Sequence, residues 1–395
     1  MKVCLINHFY RPFIGSGAEN VVENIVDGFL KNGDEILVIT TKPRFCRQIT
    51  PPSNQRIFYL GSSFHFFCKM PYFFRIFWHL FNIFDFLTAR KVKKILRKEK
   101  PDLVITNNLA GMSYLIPPVI KELKIKHLHI LHDIQLLHPS GLLIFGRESK
   151  MAGWPAKIYQ FFVRIRFSKV DVVVSPSRWL LDAHLSRGFF IKAQKKILSN
   201  PVIAEGTQTL EKLDRDGDVF KILCVAQIEE HKGIFFLLKA WQQLLSSGFK
   251  GGVKLLFVGD GQKKDKLESL IKKDKDVEYL GRLDRPGVYS SMLQSDLLVV
   301  PSLCYENSPT VIFEAISKGL PVLAANIGGV GEIINKYGGF LFNPADIDDL
   351  NAKIVWAIKN PREVEEVRRL YWHKSEELIN SSQSYINSLK ESIFN

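Results

Sequence analysis

Glu306 and Glu314 stand eight positions apart in Glu306-Asn307-Ser308-Pro309-Thr310-Val311-Ile312-Phe313-Glu314. The apolar run Leu297-Leu298-Val299-Val300-Pro301 precedes them. That order predicts a strand ending in a loop with one carboxylate. A helix from near Ser308 then carries the other about two turns in. A helix start offers backbone N–H groups without intrahelical partners and a positive dipole end, which together suit an anion. A carboxylate on each side of such a site suits a sugar nucleotide. The phosphates meet the N–H groups, one acid meets the sugar hydroxyls and the other the ribose.

Other stretches could serve the same chemistry. Gly15-Ser16-Gly17 leads directly into a helical pattern, and its glycines allow a backbone to approach a phosphate closely. A third glycine three residues after Gly17 is absent, so this is not the dinucleotide fingerprint; a plain strand-to-helix turn would also use these glycines. His132-Asp133 closes the apolar run His127–Leu131, where an imidazole could polarise an acceptor hydroxyl. Gln227 and Lys232 lie between a strand and the next helix, and the Lys232 ammonium would meet a diphosphate as a point charge. Gly259-Asp260-Gly261 and Ile327-Gly328-Gly329 read as tight turns at strand ends.

These residues need elements to position them. In the first half, strands are expected at Lys2–Asn7, Glu35–Thr40, Asp102–Thr106, His127–Leu131 and Asp171–Ser175, with helical stretches between. The clearest helix is Ala18–Lys31, with Val21, Val22, Ile25, Val26, Phe29 and Leu30 on one face and Gly33 beyond its end. The pattern lapses over residues 204–219 and restarts at Lys221–Val225. Strands Val253–Val258, Val277–Leu280, Asp296–Pro301 and Pro321–Ala325 then alternate with helices. The expected fold is α/β, two doubly wound Rossmann-like domains facing a cleft: residues 1–203, a linker at 204–219, and 220–375. A last helix, 376–395, is expected to cross back to the first domain.

Charge and composition narrow the function. Residues 1–200 carry 30 Lys and Arg against 13 Asp and Glu, whereas residues 201–395 carry 24 against 27, giving the net +14 of the 395-residue chain. A basic first half implies an anionic surface or substrate there. No nucleic-acid recognition module is visible. Five scattered cysteines form no CxxC pair, and no histidine or cysteine spacing suggests a metal. No metal and no cofactor are therefore expected. The N-terminus enters a strand without a signal-peptide pattern, which implies a cytoplasmic setting. Segment 64–100 crowds eleven aromatic residues ahead of Arg90-Lys91-Val92-Lys93-Lys94, with Arg75, His79, Asn82 and Asp85 as a narrow polar stripe. An aromatic helix followed by a basic cluster fits peripheral contact with an anionic membrane; an ordinary packed helix with a solvated basic end fits the same pattern.

Taken in order, these motifs resemble the retaining glycosyltransferases of the GT-B fold, the group 1 or GT4 family. The matching pieces are Gly15-Ser16-Gly17-Ala18-Glu19, Leu131-His132-Asp133, Ser175-Pro176-Ser177, Asn200-Pro201, His231-Lys232-Gly233, Gly259-Asp260-Gly261, Glu306 with Glu314, and Gly319-Leu320-Pro321-Val322. The resemblance implies that Glu306 contacts the donor sugar and Glu314 the ribose. It implies that Lys232 neutralises the diphosphate, helped by the backbone from Asn307 and Ser308 to Thr310 and Val311 and by the Gly15–Gly17 loop. His132 would lie beside the reacting sugar, and Gly281-Arg282-Leu283 would hold the base. Glu306, His132 and Lys232 are the expected catalytic residues.

The implied partners are a nucleoside-diphosphate sugar, UDP by family frequency, and a glycan or lipid-linked acceptor. One departure stands out: members commonly carry Arg beside the diphosphate where this chain has Gln227. A related GT-B enzyme, such as a sugar-nucleotide epimerase or a phosphorylase, would use the same cleft. A non-catalytic subunit that binds nucleotide or glycan is the further alternative.

Overall fold

The computed structural model describes residues 1–13, 17–44, 46, 55–201, 219–249, 252–379 and 381–394. They fall into two compact units. One comprises Met1–Leu142, Glu148–Pro201 and Ser381–Asn395; the other comprises Leu143–Arg147 and the described residues of 202–380.

The first unit is built on strands β1 (Lys2–Ile6), β2 (Glu35–Pro43), β3 (Arg56–Ser62), β4 (Leu103–Thr106), β5 (Lys126–Ile130), β6 (Val172–Ser175) and β7 (Gln194–Ile197). All pair in parallel in the order β3-β2-β1-β4-β5-β6-β7. Helices α1 (Gly17–Lys31), α2 (Tyr72–Ile83), α3 (Phe86–Glu99), α4 (Ile116–Glu122), α5 (Trp154–Phe167) and α6 (Arg178–Leu185) make the connections. The central strands β1, β4 and β6 are almost wholly apolar because both their faces are covered. On one of those faces α1 buries Val21, Val22, Ile25, Val26 and Phe29 against Val3, Leu5, Leu103 and Ile105. Burying a side chain such as Phe29 is worth about 1.5–3 kcal/mol.

The second unit has strands β8 (Phe220–Val225), β9 (Val253–Val258), β10 (Val277–Tyr279), β11 (Leu297–Val300), β12 (Val322–Ala325) and β13 (Phe340–Phe342), parallel in the order β10-β9-β8-β11-β12-β13. Its helices are α7 (Ile234–Ser246), α8 (Lys264–Ile271), α9 (Arg285–Leu293), α10 (Thr310–Ser317), α11 (Val330–Tyr337), α12 (Ile347–Lys359) and α13 (Pro361–Ile379). Separate apolar cores fill the sheet's two faces, one around Trp241 and Phe257, the other around Phe313 and Tyr371. The final helix, α14 (Ser381–Phe394), belongs to the first unit. There Tyr385, Ile386 and Leu389 join the core beside α1. The two helices approach so closely that a Cβ on Gly28 would lie 2.7 Å from Ile386 Cγ1.

Several details differ from the sequence expectation. β3, β7 and β13 were not expected. β3 and β7 are edge strands, and β7 reads Gln-Lys-Lys-Ile, without the apolar run of a strand buried on both faces. β13 has only three residues. Leu143–Arg147 falls within the range expected for the first domain, yet it groups with the second unit. Its backbone pairs with the loop after β11: Phe145 N–H donates to Leu303 O (2.9 Å) and Tyr305 N–H to Leu143 O (2.8 Å). Most of the expected linker lies outside the described residues.

Both sheets are doubly wound, and the chain reverses direction across the sheet between β1 and β4 and again between β8 and β11. At such switch points the strand ends splay apart and leave a crevice for ligand.

Candidate active site

At the switch point of the second unit, Lys232 and Glu306 form an ion pair. Lys232 Nζ donates to Glu306 Oε1 at 2.6 Å, and Ser302 Oγ donates to the same oxygen at 3.1 Å. The Cys304 thiol lies 3.7 Å from it. Burial pushes the Glu306 carboxyl up, but the ammonium of Lys232, the Ser302 hydroxyl and nearby His231 outweigh it. Its pKa therefore falls below the ordinary range. Burial likewise opposes the charge on Lys232, and Glu306 more than reverses this, so its pKa is raised. The pair is ionised throughout the neutral range.

Glycine turns seat this pair. Gly328 has φ +64°, and a Cβ there would sit 2.1 Å from the Glu306 carbonyl oxygen. That oxygen accepts the Gly329 N–H at 2.7 Å. Gly233, with φ +74°, lets the loop carrying Lys232 pass Pro301, whose carbonyl a Cβ would meet at 1.8 Å. Only glycine fits such contacts. Gly259 similarly approaches Ala226 O, and its N–H donates to Gly281 O at 2.9 Å. Beside these turns lies an open cleft of about 570 Å³ lined by Gln227, Glu229, His231, Asp260, Gly261 and Gln262.

The helix carrying the second carboxylate begins later than expected. Pro309, with ψ 120°, is the residue before α10, so the helix starts at Thr310 and Glu314 is its fifth residue. Pro309 provides no side-chain cap, and a helix start of this kind suits an anion. Burial raises the Glu314 pKa, partly offset by Arg285.

The switch point of the first unit has a different character. His8 follows β1, and Asn107 and Asn108 follow β4. His8 N–H donates to Asn108 O at 2.9 Å, and Asn108 N–H to Asn7 Oδ1 at 3.2 Å. His132 Nε2–H donates to Asn107 Oδ1 at 2.8 Å, which fixes the ring. Asp133 accepts from Gln135 N–H (2.7 Å) and Asn108 Nδ2 (3.3 Å). Burial lowers the His132 pKa to about 4, so the ring is neutral near pH 7. Burial raises Asp133 to about 6. Glu19 of α1 lies 3.7 Å from His8 Nε2.

Comparison with known proteins decides what these sites belong to. A model of glycosyl transferases group 1 matches residues 207–371, and one of glycosyltransferase family 4 matches residues 15–204. The chain belongs to the group 1, family 4 glycosyltransferases. It is 26% identical over 370 residues to an uncharacterized 42.6 kDa protein in the cps region of Klebsiella pneumoniae, covering 90% of this chain and 96% of that one. It is 24% identical over 351 residues to the sulfoquinovosyl transferase SQD2 of Arabidopsis thaliana, covering 86% and 63%. Among solved structures, the Anabaena protein Alr3699/HepE in complex with UDP matches with a TM-score of 0.70 at 18% identity, over 99% of this chain and 100% of that one. The sucrose-phosphate synthase of Thermosynechococcus elongatus matches with 0.71 at 18% identity, over 100% and 99%. The fold is therefore GT-B.

Within this glycosyltransferase, the structure pairs Lys232 with Glu306 and the turn at Gly259 with Gly281. Asn307 and Ser308 link Glu306 to α10, which Thr310 and Val311 begin. Leu283 packs against the core, while Arg282 and Gln227 are exposed. Arg11 is held by Glu23 in an ion pair. Gly17 is the first residue of α1; Gly15 and Ser16 lie outside the described residues. His132 lies in the first unit. Among the described residues, no group of three or more His, Cys, Asp or Glu side chains is placed to hold a metal ion. Sequence reasoning missed Ser302, Arg285, Asn107 and Asn108. The asparagines directly follow an apolar strand, and that position alone could have marked them.

Proposed function

We propose that this glycosyltransferase is retaining and metal-independent. It transfers a sugar from a nucleoside diphosphate, UDP in this reading, to a hydroxyl of a glycan or lipid-linked glycan. The product belongs to cell-surface polysaccharide or glycolipid synthesis. The observation that carries the reading is the Lys232–Glu306 ion pair, 2.6 Å apart, whose glutamate stands on the loop that leads into α10. Relatives support it: a sulfoquinovosyl transferase and a GDP-mannose-dependent mannosyltransferase acting on a phosphatidylinositol monomannoside share its sequence pattern. A structural neighbour holds UDP-glucose.

In this mechanism the bond from the anomeric carbon to the diphosphate oxygen breaks on one face of the sugar. The acceptor hydroxyl forms its bond to that carbon on the same face, and its proton passes to the departing phosphate oxygen. Such chemistry needs charge neutralisation and positioning more than a strong protein base. Lys232 and the α10 start meet the growing negative charge on the diphosphate. The Glu306 carboxylate orients the sugar and faces the positive charge at its ring. Glu314 accepts from the ribose hydroxyls, and neutral His132 donates to or accepts from a sugar hydroxyl. The lipid-linked acceptor places the enzyme at the cytoplasmic face of an anionic membrane, with segment 64–100 against it.

Thermal stabilisation by UDP, GDP, ADP and their sugar conjugates tests the donor site. A ligand at a hundred times its dissociation constant adds about 2.7 kcal/mol. UDP or a UDP-sugar should shift wild type and lose most of that shift in Glu314→Ala. Equal shifts in both proteins would remove Glu314 from the ribose. Nucleotide binding without turnover on any acceptor would favour a non-catalytic subunit, the reading to which Gln227 lends weight.

A further inference from the structure

α2 buries part of its polar stripe together with Trp78 and Ile83. Asn82 is buried, and its Oδ1 accepts the Gly111 N–H at 2.8 Å. Asp85 is buried and caps α3 through the Thr88 N–H at 3.0 Å. His79 is desolvated enough to lower its pKa to about 4. Outside stand Phe74, Phe77, Phe81 and Phe84, on one helical stripe. The same face continues at the start of α3 with Phe86 and Leu87, which are 67% and 70% exposed.

A second helix repeats the pattern where the sequence reading had seen none. α5 buries Ala156, Tyr159, Gln160, Val163 and Phe167 and exposes Trp154, Ile158, Phe161 and Ile165. Their spacing of four, three and four residues makes one continuous stripe. Trp154 is 74% exposed. The two helices meet: the Phe84 ring packs edge-on to Phe162 at 5.7 Å, and the Arg166 guanidinium lies 5.3 Å over Phe84. α2 and α3 meet in a groove of about 280 Å³, where Phe81 and Leu87 stand beside Arg44 and Lys91.

Cations border this apolar face. Down the solvent side of α3, Leu87 is followed by Arg90, Lys91, Lys94, Arg97 and Lys98. Glu122 pairs with Lys93 and Arg97. Arg90, Lys91, Lys94 and Lys98 form no ion pair among the described residues. Lys157 is exposed on α5. Aromatic side chains beside unpaired cations match the acyl boundary and headgroup layer of an anionic bilayer. A second copy of this face would bring like charges together. Among the described residues no helix is long and apolar enough to cross a membrane.

We infer that the first unit lies on an anionic lipid bilayer through a composite face, with Phe74, Phe77 and Phe81 of α2, Phe86 and Leu87 of α3, and Trp154, Ile158, Phe161 and Ile165 of α5 entering the interface together. Arg44, Arg90, Lys91 and Lys94 meet lipid phosphates around it. This rests on the membrane reading of segment 64–100 and adds α5 as a second insertion point. It does not depend on which sugar is transferred.

Co-sedimentation with vesicles of phosphatidylcholine containing phosphatidylglycerol, compared with pure phosphatidylcholine, tests it on the full chain. Wild type should bind only the anionic vesicles and be released by raised salt. The double change Trp154→Ser with Phe161→Ser should weaken partitioning about tenfold or more. The shift in melting temperature with UDP should be unchanged, which shows that the fold and donor site are intact. Brominated acyl chains should quench wild-type fluorescence more than that of Trp154→Phe. Three results would overturn the inference. Wild type that ignores anionic vesicles at low salt removes both the α5 face and the 64–100 contact. Binding lost in Phe77→Ser with Phe81→Ser but kept in the α5 variant leaves the earlier contact and removes α5. Concentration-dependent dimers that the α5 changes abolish, without vesicle binding, assign the face to a second copy. None of these bears on donor binding, which the UDP shift reads separately.

Discussion

The two sheets share a winding but not a chemistry. At the β8–β11 switch point the chain places an ion pair, glycine turns and an uncapped helix start. At β1–β4 it places Asn7, Asn107, Asn108 and a neutral histidine, all held by hydrogen bonds, with Asp133 raised toward neutrality. A fixed charge suits a ligand that carries charge in the ground state and gains more as a bond breaks, as a diphosphate does. Amides and a neutral imidazole suit hydroxyl groups, which need directional donors and acceptors rather than a field. One topology thus supplies two switch points whose strand-end residues differ: an ion pair in the second unit, amides and a neutral imidazole in the first.

Lys232→Ala gives the sharpest test of that contrast. It should lower kcat by about 10²–10³, or roughly 3–4 kcal/mol of transition-state stabilisation. Single-turnover kinetics with saturating donor would read it, and a loss under tenfold would deny Lys232 its part in the charge site. Acid should separate the units next. His127 and His184 are fully buried in the first unit, with pKa values lowered to about 3 and about 4. Unfolded histidines titrate near 6.5, so below that pH the unfolded chain binds more protons. Stability is then lost as pH falls from about 6.5 toward about 4, at up to about 1.4 kcal/mol per pH unit for each group. Asp133, raised to about 6, works the other way: its contribution is full below the ordinary aspartate range and is lost as pH rises through about 6. Hydrogen exchange at stepped pH should show the first unit losing protection before the second, and simultaneous loss would break the comparison.

His132→Ala should cost about tenfold to a hundredfold in turnover, in line with a hydrogen bond worth roughly 1.5–3 kcal/mol. Stabilisation by UDP should stay as in wild type. A parallel loss of nucleotide binding would mean that the two switch points are not chemically distinct. The smallest effect should come from Gln227→Arg, which adds a cation to the cleft that Gln227, Glu229 and His231 line. It should raise turnover by about tenfold at most. No change in rate would mean that the charge is not missing.

Much of this is legible in the sequence. The strands β1, β8 and β11 show as apolar runs because both faces of a parallel sheet are covered. Lys232, Glu306 and Glu314 show because each follows such a run at a strand's carboxyl end or opens the next helix. Edge strand β7 did not show, since Gln194-Lys195-Lys196-Ile197 carries no apolar run. Nor did the role of Gly328, which depends on the Glu306 carbonyl 22 positions earlier in the chain. The backbone of Leu143–Phe145, pairing with Leu303–Tyr305, was equally invisible.

By itself, then, the sequence determined the alternation of strand and helix, the order of the site motifs and the family, because these depend on short-range periodicity and on residue types at strand ends. Tertiary structure alone decided which side of α2 faces water, that α5 exposes an apolar stripe of its own and meets α2 through Phe84 and Phe162, and that one oxygen of Glu306 gathers Lys232, Ser302 and Cys304. The reason is range. A helix's pattern shows that it has two faces, but which one is buried depends on partners such as Gly111 for Asn82, far along the chain and near only after folding.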